Sequence, residues 1–396
     1  MISPQESDPE RLRSVDAYRG FIMLAMASGG IATFGCLSRM GNGEVSIPLE
    51  VLLQQFDHVP WRGCVFWDLI QPAFMFLVGV SMPLSYSRCR ARGDRWTQLF
   101  GHALLRSVVL VVLGVFLASN GSSHTDFTFT NVLAQIGLGY TFAFLVLGQR
   151  SSVQLAVAIL ILVADWLLFA RYPLPGPEFP YGLFGVSEPQ LMMRGLFAHW
   201  NKNTNVAAEF DRWFLNLFPH PSDEPFRFNP GGYATLNFIP SIATMIFGIL
   251  AGELLMSRPG RISKPRILLL VGAGLWMLGH VLDATLCPIV KRLWTPSWVI
   301  ASSAWTCWML AAFYWVIDSW GFKRWSLPLA VVGTNSIAIY LMSQLMRKFV
   351  ITSIQTHYGT TVFSGTSGPL IRGLSVLAVL WLICFWLYKR KIFFKI

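Results

Sequence analysis

The chain has 396 residues, of which 54% are hydrophobic and only 13% are charged. Soluble globular domains carry about 25% charged residues, so this chain has too few charges to cover a water-exposed surface. Its net charge of +11 suggests nucleic acid at first sight, but the basic residues lie between long apolar runs. The composition therefore excludes a soluble, nucleic-acid-binding protein and predicts an all-α, polytopic integral membrane bundle.

The apolar runs are about 20 residues long, the length that crosses about 30 Å of hydrocarbon. We predict about ten transmembrane helices in one domain, residues 1–396, with no cleavable signal peptide before the first. A long segment between the fifth and sixth spans, residues 171–233, is rich in Pro and aromatic residues and predicts an ordered outer cap. The predicted spans are residues 17–35, 64–85, 98–118, 131–149, 152–170, 234–255, 266–286, 297–318, 327–346 and 368–388.

Lys and Arg residues are concentrated in alternate loops, and cytoplasmic loops collect such residues. This pattern predicts that both termini lie in the cytoplasm, and an even number of spans agrees with it. The polar N-terminal stretch favours a bacterial source and hence the inner membrane. The basic set comprises Arg11 and Arg13, then Arg88, Arg90, Arg92 and Arg95, then Arg150, then Arg258, Arg261, Lys264 and Arg266, then Lys323 and Arg324, and finally Lys389, Arg390, Lys391 and Lys395.

One polar motif lies at the outer start of the second span, in the stretch FDHVPWRGCVFWDLIQP. His58 is a candidate base, because an imidazole can take a proton from an attacking hydroxyl or amine. The adjacent Asp57 points away from His58 unless the chain turns, so a more distant acid is the better partner. Asp68 lies farther along the same stretch. The alternative is that His58 is an ordinary interfacial residue.

Ionisable and amide side chains inside spans are costly, so each is a candidate functional residue. The alternative for each is an ion pair or a hydrogen bond that joins two helices. The candidates are Asp16 with Arg19, Asn131 with Gln135, Asn335 with Ser336, Asp165, and His280 with Asp283. His280 and Asp283 are expected either to relay protons or to bind each other. Cys36 and Cys64 both lie near the outer side, where they form a disulfide or remain free. No Walker loop, dinucleotide fingerprint, HExxH or paired-Cys motif occurs, so no metal site is predicted.

Several of these segments, in order, resemble the membrane-bound acyltransferases typified by lysosomal heparan-α-glucosaminide N-acetyltransferase and its bacterial relatives. The stretch HVPWRGCVFWDLIQPAFMFLVGVSM at 58–82 is similar to the family's HxxWxGxxxxDLxxPxFxFxxG pattern. The opening RLRSVDAYRG, NPGGYATLNFIPSI with GILAG at 229–252, GTNSIAIY at 333–340 and the closing KRKIFFKI also resemble it. The resemblance covers nearly the whole chain.

The resemblance implies transfer of an acetyl group from cytosolic acetyl-CoA to an amino sugar or glycan on the far side of the membrane. The family's proposed catalytic His corresponds to His58, which acts either as a general base or as an acetylated intermediate. We predict that His58 and Asp68 are catalytic. The residues expected at the acetyl-CoA site are Asp16, Arg19, Asn131, Gln135, Asn335 and Ser336. Those expected to bind the acceptor are Asp57, Trp61, Asn229 and Tyr233, with Trp200 and Trp213 as further stacking platforms.

A second class of function is a transporter or flippase for a sugar or a lipid-linked intermediate. In that case His58 couples transport to protons and no acyl chemistry takes place. Turnover of a thioester separates the two hypotheses. The expected partners of the enzyme are an acyl-CoA donor, the acceptor and the lipid bilayer. A homodimer is compatible with the sequence, which does not determine the oligomeric state.

Overall fold

The computed structural model describes residues 12–40, 47–176, 178–188, 192–220, 224–257 and 260–394. Within these ranges the chain forms helices and no β-strand, which confirms the predicted all-α membrane bundle. The basic residues Arg11, Arg258 and Lys395 lie outside the described ranges. The α-helices are α1 (Arg13–Ser28), α2 (Ile31–Phe34), α3 (Leu37–Met40), α4 (Ile47–Gln54), α5 (Ile70–Ala91), α6 (Trp96–Ala118), α7 (Val132–Leu145), α8 (Ser151–Arg171), α9 (Val206–Phe214), α10 (Phe238–Met256), α11 (Ser263–Thr285), α12 (Pro296–Tyr314), α13 (Leu327–Gly333), α14 (Ser336–Leu345), α15 (Arg347–Tyr358) and α16 (Gly368–Lys389).

Seven helices among the described residues are long and apolar enough to cross a membrane. An eighth span results if α13, with the turn before it, and α14 are counted together, although they are bent by 65°. Helix α7 has only 14 residues and α1 only 16. The count of about ten spans is therefore not confirmed. The seven helices are Phe66–Ala91, Trp96–Ala118, Ser151–Arg171, Thr235–Met256, Ser263–Thr285, Pro296–Ser319 and Gly368–Lys389, which match the second, third, fifth, sixth, seventh, eighth and tenth predicted spans.

Glycines allow two pairs of helices to cross with their backbones in contact. A Cβ atom on Gly79 of α5 would lie 2.0 Å from the carbonyl oxygen of Met245 in α10, and one on Gly248 would meet the α5 backbone equally closely. In the same way, a Cβ on Gly20 of α1 would lie 1.8 Å from the Leu329 oxygen of α13. The first crossing holds α5 against α10, and the second holds α1 against α13.

The two ends of the bundle differ in chemistry. At one end, the cap end, the segments before α5 and α12 meet the described parts of the 171–233 cap, which contain α9 and short 3-10 turns. At the other end, the basic end, the start of α1 lies beside the end of α5, where Arg19 donates to Ser81. Helices α1 and α5 therefore run in opposite directions between the same two ends.

Candidate functional site

His58 and Asp68 form a hydrogen-bonded pair at the cap end. His58 lies in the irregular segment after α4, and Asp68 lies in the 3-10 turn Phe66–Leu69 that leads into α5. Nδ1 of His58 is 2.6 Å from Oδ1 of Asp68. The Asp68 side chain is 1% exposed, whereas the His58 side chain is 36% exposed. Because a carboxylate only accepts hydrogen bonds, the neutral His58 ring donates from Nδ1 and keeps a basic lone pair on Nε2.

The backbone around Asp68 fixes this carboxylate from the other side. Its Oδ2 accepts hydrogen bonds from the N–H groups of Val59 and Val65, both at 3.4 Å. The chain thus turns back over ten residues so that His58 and Asp68 meet, whereas Asp57 accepts the His58 backbone N–H at 2.8 Å. The expectation that the partner of His58 is an acid farther along the chain agrees with this geometry.

A third charged group, Lys291, reaches the same pair from the segment between α11 and α12. Its Nζ lies 3.3 Å from Oδ1 of Asp68 and 3.2 Å from Nδ1 of His58. The Lys291 side chain is 6% exposed, and burial lowers the pKa of its amine to about 8, although Asp68 opposes this decrease. Sequence analysis gave Lys291 no role in the site. The available signal was that Lys291 and Arg292 form a basic pair in a loop outside the basic set.

An ion pair connects the segment that carries His58 to the end of α11. The guanidinium of Arg62 donates to both carboxylate oxygens of Asp283, at 3.0 and 2.9 Å, and to the Asp283 backbone oxygen at 2.8 Å. His280 instead has its Nδ1 2.9 Å from the Trp276 backbone oxygen. The predicted His280–Asp283 relay is therefore wrong, because Asp283 is bound by Arg62.

Trp61 and Asn229, two of the predicted acceptor residues, make contacts within the cap end. The Trp61 indole donates to the Trp200 backbone oxygen at 3.0 Å, so it joins the His58 segment to the cap. The Asn229 side chain accepts from the N–H of Gly231 at 2.8 Å and shapes the turn that leads to Tyr233. Direct contact of these residues with an acceptor stays a prediction.

The aromatic residues expected to stack on a sugar differ in exposure. Trp200 is 0% exposed and stacks on Phe169, so the expectation is wrong for this residue. Trp213 is 61% exposed on α9. Tyr233 is half-buried, and the guanidinium of Arg292 lies 5.7 Å from the centre of its ring. Burial raises the pKa of the Tyr233 hydroxyl, which therefore stays neutral near pH 7.

A cavity of about 460 Å³ opens at the basic end. Asp16 and Ser336 line it, as does Arg19, which pairs with Asp16 at 3.5 Å. Along α5 the lining extends from Arg88 to Phe74, which is about 21 Å at 1.5 Å per residue. The lining also includes Thr334, which follows α13, and side chains of α14 and the C-terminal segment.

A second cavity of about 670 Å³ adjoins the first, and Ser85 and Arg106 line both. The Arg106 guanidinium lies 4.8 Å from the centre of the Tyr140 ring. Arg106 is an ionisable residue within a predicted span, the class of residue that marks functional sites in membranes. Sequence analysis missed it although this signal was present.

The remaining predicted donor residues have partners within the protein. The Asn335 amide donates to the Ile392 oxygen at 3.1 Å and accepts from the Phe394 N–H at 3.0 Å, so it holds the C-terminal segment against the first cavity. Asn131 accepts the Ala134 N–H at the start of α7. Binding of acetyl-CoA by these side chains stays a prediction.

Gln135 joins α7 to the chain before α10, since its amide donates to the Phe129 and Thr235 oxygens. It lines neither of the two cavities at the basic end, and its role in donor binding also stays a prediction. Cys36 and Cys64 are both free. Burial raises the pKa of the Cys64 thiol to about 12, so this group is uncharged beside Asp68.

Comparison with known proteins agrees with the motifs. The chain is 26% identical to human (Homo sapiens) heparan-alpha-glucosaminide N-acetyltransferase over 436 aligned positions, and 25% identical to the mouse (Mus musculus) protein of the same name over 438. These alignments cover 98% and 99% of this chain but only 60% and 61% of the two relatives. No family model matches. The chain is thus similar, over nearly its whole length, to the heparan-alpha-glucosaminide N-acetyltransferases, as its motifs predicted.

Proposed function

We propose that the chain is a transmembrane acyltransferase that moves an acetyl group from acetyl-CoA at the basic end to an amino sugar or glycan at the cap end. The observation that carries this proposal is the pair of His58 and the buried Asp68, 2.6 Å apart, with the imidazole accessible from the cap end. Similarity to two N-acetyltransferases supports the same reaction class.

In this mechanism Nε2 of His58 accepts the proton of the acceptor's amine or hydroxyl as it attacks the thioester carbonyl carbon. The carbon–sulfur bond then breaks, and the proton passes to the departing thiolate to give free CoA. In the alternative, Nε2 itself attacks the thioester carbonyl carbon, the carbon–sulfur bond breaks and CoA leaves as the thiolate. The acceptor then attacks the acetylated imidazole, the nitrogen–acyl bond breaks to restore His58, and the proton that the acceptor loses passes to the thiolate to give free CoA. Asp68 has the same role in both, because it fixes the ring and stabilises its charged form.

The two adjoining cavities at the basic end suit an anionic donor. Arg19, Arg88 and Arg106 place three guanidinium groups around them, and such groups bind phosphate oxygens in pairs. The first cavity ends at Phe74, six residues beyond Asp68 on the same helical segment, or about 9 Å along the axis. A donor held there by its phosphates therefore directs its acyl arm towards His58.

Sidedness follows from the same charge pattern. The basic end carries the described Lys and Arg residues of the cytoplasmic set, so it faces the cytosolic pool of acetyl-CoA. The cap end then faces outwards, and in a bacterium this places the protein in the inner membrane. The relatives' name specifies a glucosaminide acceptor, which makes a terminal amino sugar the first acceptor to test.

The decisive experiment measures CoA release from acetyl-CoA by purified protein with glucosamine-terminated acceptors. Acceptor-dependent release that is lost in His58→Ala but kept in His280→Ala supports the proposal. His280 is a matched control because its ring is exposed on α11 and packs against Trp276 of the same helix. Absence of release by folded protein across several donors and acceptors refutes the proposal and favours the transporter or flippase, which sugar flux in proteoliposomes would then detect.

A further inference from the structure

Two side chains of opposite charge, Asp68 and Lys291, lie beside the imidazole ring of His58. Asp68 and Lys291 approach the same ring nitrogen, at 2.6 and 3.2 Å, and both are almost completely buried. An ammonium group only donates hydrogen bonds and a carboxylate only accepts them. Nδ1 therefore donates to Asp68, and the Lys291 ammonium donates to the same carboxylate.

The consequence concerns the second proton of the imidazole. With Asp68 alone, a charged His58 ring would form a neutral ion pair with the carboxylate, and such a partner favours the charged form of a histidine. With Lys291 present, Asp68 is already balanced. A proton on Nε2 would then leave an uncompensated positive charge beside a buried ammonium, which is unfavourable.

Other groups near the pair do not replace Lys291 in this role. Burial keeps the Cys64 thiol and the Tyr233 hydroxyl neutral by raising the pKa of each. Asp57 is exposed, so water screens its charge. Arg292, the remaining cation of this segment, lies over the Tyr233 ring and donates to the Gly231 oxygen at 2.8 Å.

We propose that Lys291 is a positioning residue that balances the charge of Asp68 and thereby keeps the His58 ring neutral, with its proton on Nδ1 and Nε2 free to accept. Its importance for turnover rests on the proposed acyltransferase function, but its effect on the His58 ring does not. The two can therefore be tested separately.

The test measures the protonation of His58 without any substrate. Diethyl pyrocarbonate modifies the neutral imidazole, and mass spectrometry of the His58 peptide reports the modification rate between pH 5 and 8 in detergent-solubilised protein. Lys291→Met should move the midpoint of this profile up by about one pH unit or more, equivalent to about a tenfold gain in proton affinity. Lys291→Arg should leave it near the wild-type value because the positive charge is kept.

Asp68→Asn provides an independent arm if Lys291→Met fails to fold. This variant removes the carboxylate but keeps the ammonium, so the midpoint should move down instead of up. The double variant Asp68→Asn/Lys291→Met removes both charges and should return it towards wild type. A midpoint that stays within about 0.3 units of wild type in Lys291→Met, or that is the same in Asp68→Asn and in the double variant, would overturn the proposal and leave Lys291 with a packing role. If the midpoint shifts occur as expected but no CoA is released in the activity assay, only the proposed acyltransferase function is refuted.

Discussion

Replacement of Asp283 by Ala should loosen the two segments that meet at the candidate site. Its carboxylate accepts two hydrogen bonds from Arg62 and one from the Ile289 N–H, the last at 2.6 Å. The Ile289 carbonyl in turn accepts the Gly63 N–H at 2.9 Å. One side chain therefore connects the segment that carries His58 to the segment that carries the buried lysine.

The size of the effect follows from exposure. The Arg62 and Asp283 side chains are 41% and 22% exposed, so their ion pair contributes about 1 kcal/mol or less. The bond from Ile289 is partly buried and has a charged acceptor, which adds about 1–2 kcal/mol. We expect Asp283→Ala to weaken local closure by about 2 kcal/mol, or about 30-fold in the opening equilibrium. Arg62→Ala should cost about 1 kcal/mol, or about fivefold.

Hydrogen–deuterium exchange of the Gly63 and Ile289 amides in detergent measures this opening directly. Both amides should exchange about 30-fold faster in Asp283→Ala and about fivefold faster in Arg62→Ala. His280→Ala is the matched control, since it alters an exposed side chain one turn earlier on α11 and should leave both rates unchanged. Less than a twofold change in Asp283→Ala would refute the inference that this carboxylate holds the two segments together.

Three further predictions concern the cap, the bundle and the two cavities at the basic end. Burial raises the pKa of Asp211 in α9 to about 6, so docking of the cap is strongest below about pH 4 and weakens as the pH rises through 6. Proteolysis of the cap, normalised to that of a peptide substrate, should therefore be slower at pH 5 than at pH 7. Asp211→Asn should abolish this difference between the two pH values. Gly248→Ala should lower the melting temperature because its Cβ meets the α5 backbone, a cost of about 1–3 kcal/mol, whereas Gly274→Ala on the open face of α11 should not. Arg106→Ala should weaken CoA binding in calorimetry by about tenfold, whereas Arg150→Ala, which lines neither cavity, should leave binding unchanged.

The long helices were predictable because their signal is local. A run of about 20 apolar residues specifies a span through its own hydropathy, whatever it packs against. Seven predicted spans therefore agree with helices of the structure to within a few residues at most ends. The ninth predicted span is broken instead at Asn335, whose amide binds the C-terminal segment more than 50 residues later. Hydropathy carries no information about such a distant partner.

The candidate site, like the helices, was predictable only where its signal lies in one stretch of sequence. His58 and Asp68 lie in one motif ten residues apart, so a single stretch of sequence pointed to both. Lys291 is 233 residues from His58, and a loop lysine has the same letter whether it is buried or solvated. Its burial results from the packing of the segment after α11 against the start of α5, which a single sequence does not reveal.

A contact between α1 and the turn before α5 lies between the two ends of the bundle. Arg19 lines the first cavity at the basic end. Phe21 is two residues farther along α1, and the centre of its ring lies 5.9 Å from the centre of the Phe66 ring. Phe66 is itself two residues before Asp68. One contact between two aromatic rings therefore links a helix that lines the first cavity to the turn that carries Asp68. In the proposed reaction the nucleotide of CoA remains among the guanidinium groups, and only its acyl end has to extend beyond the cavity to reach His58.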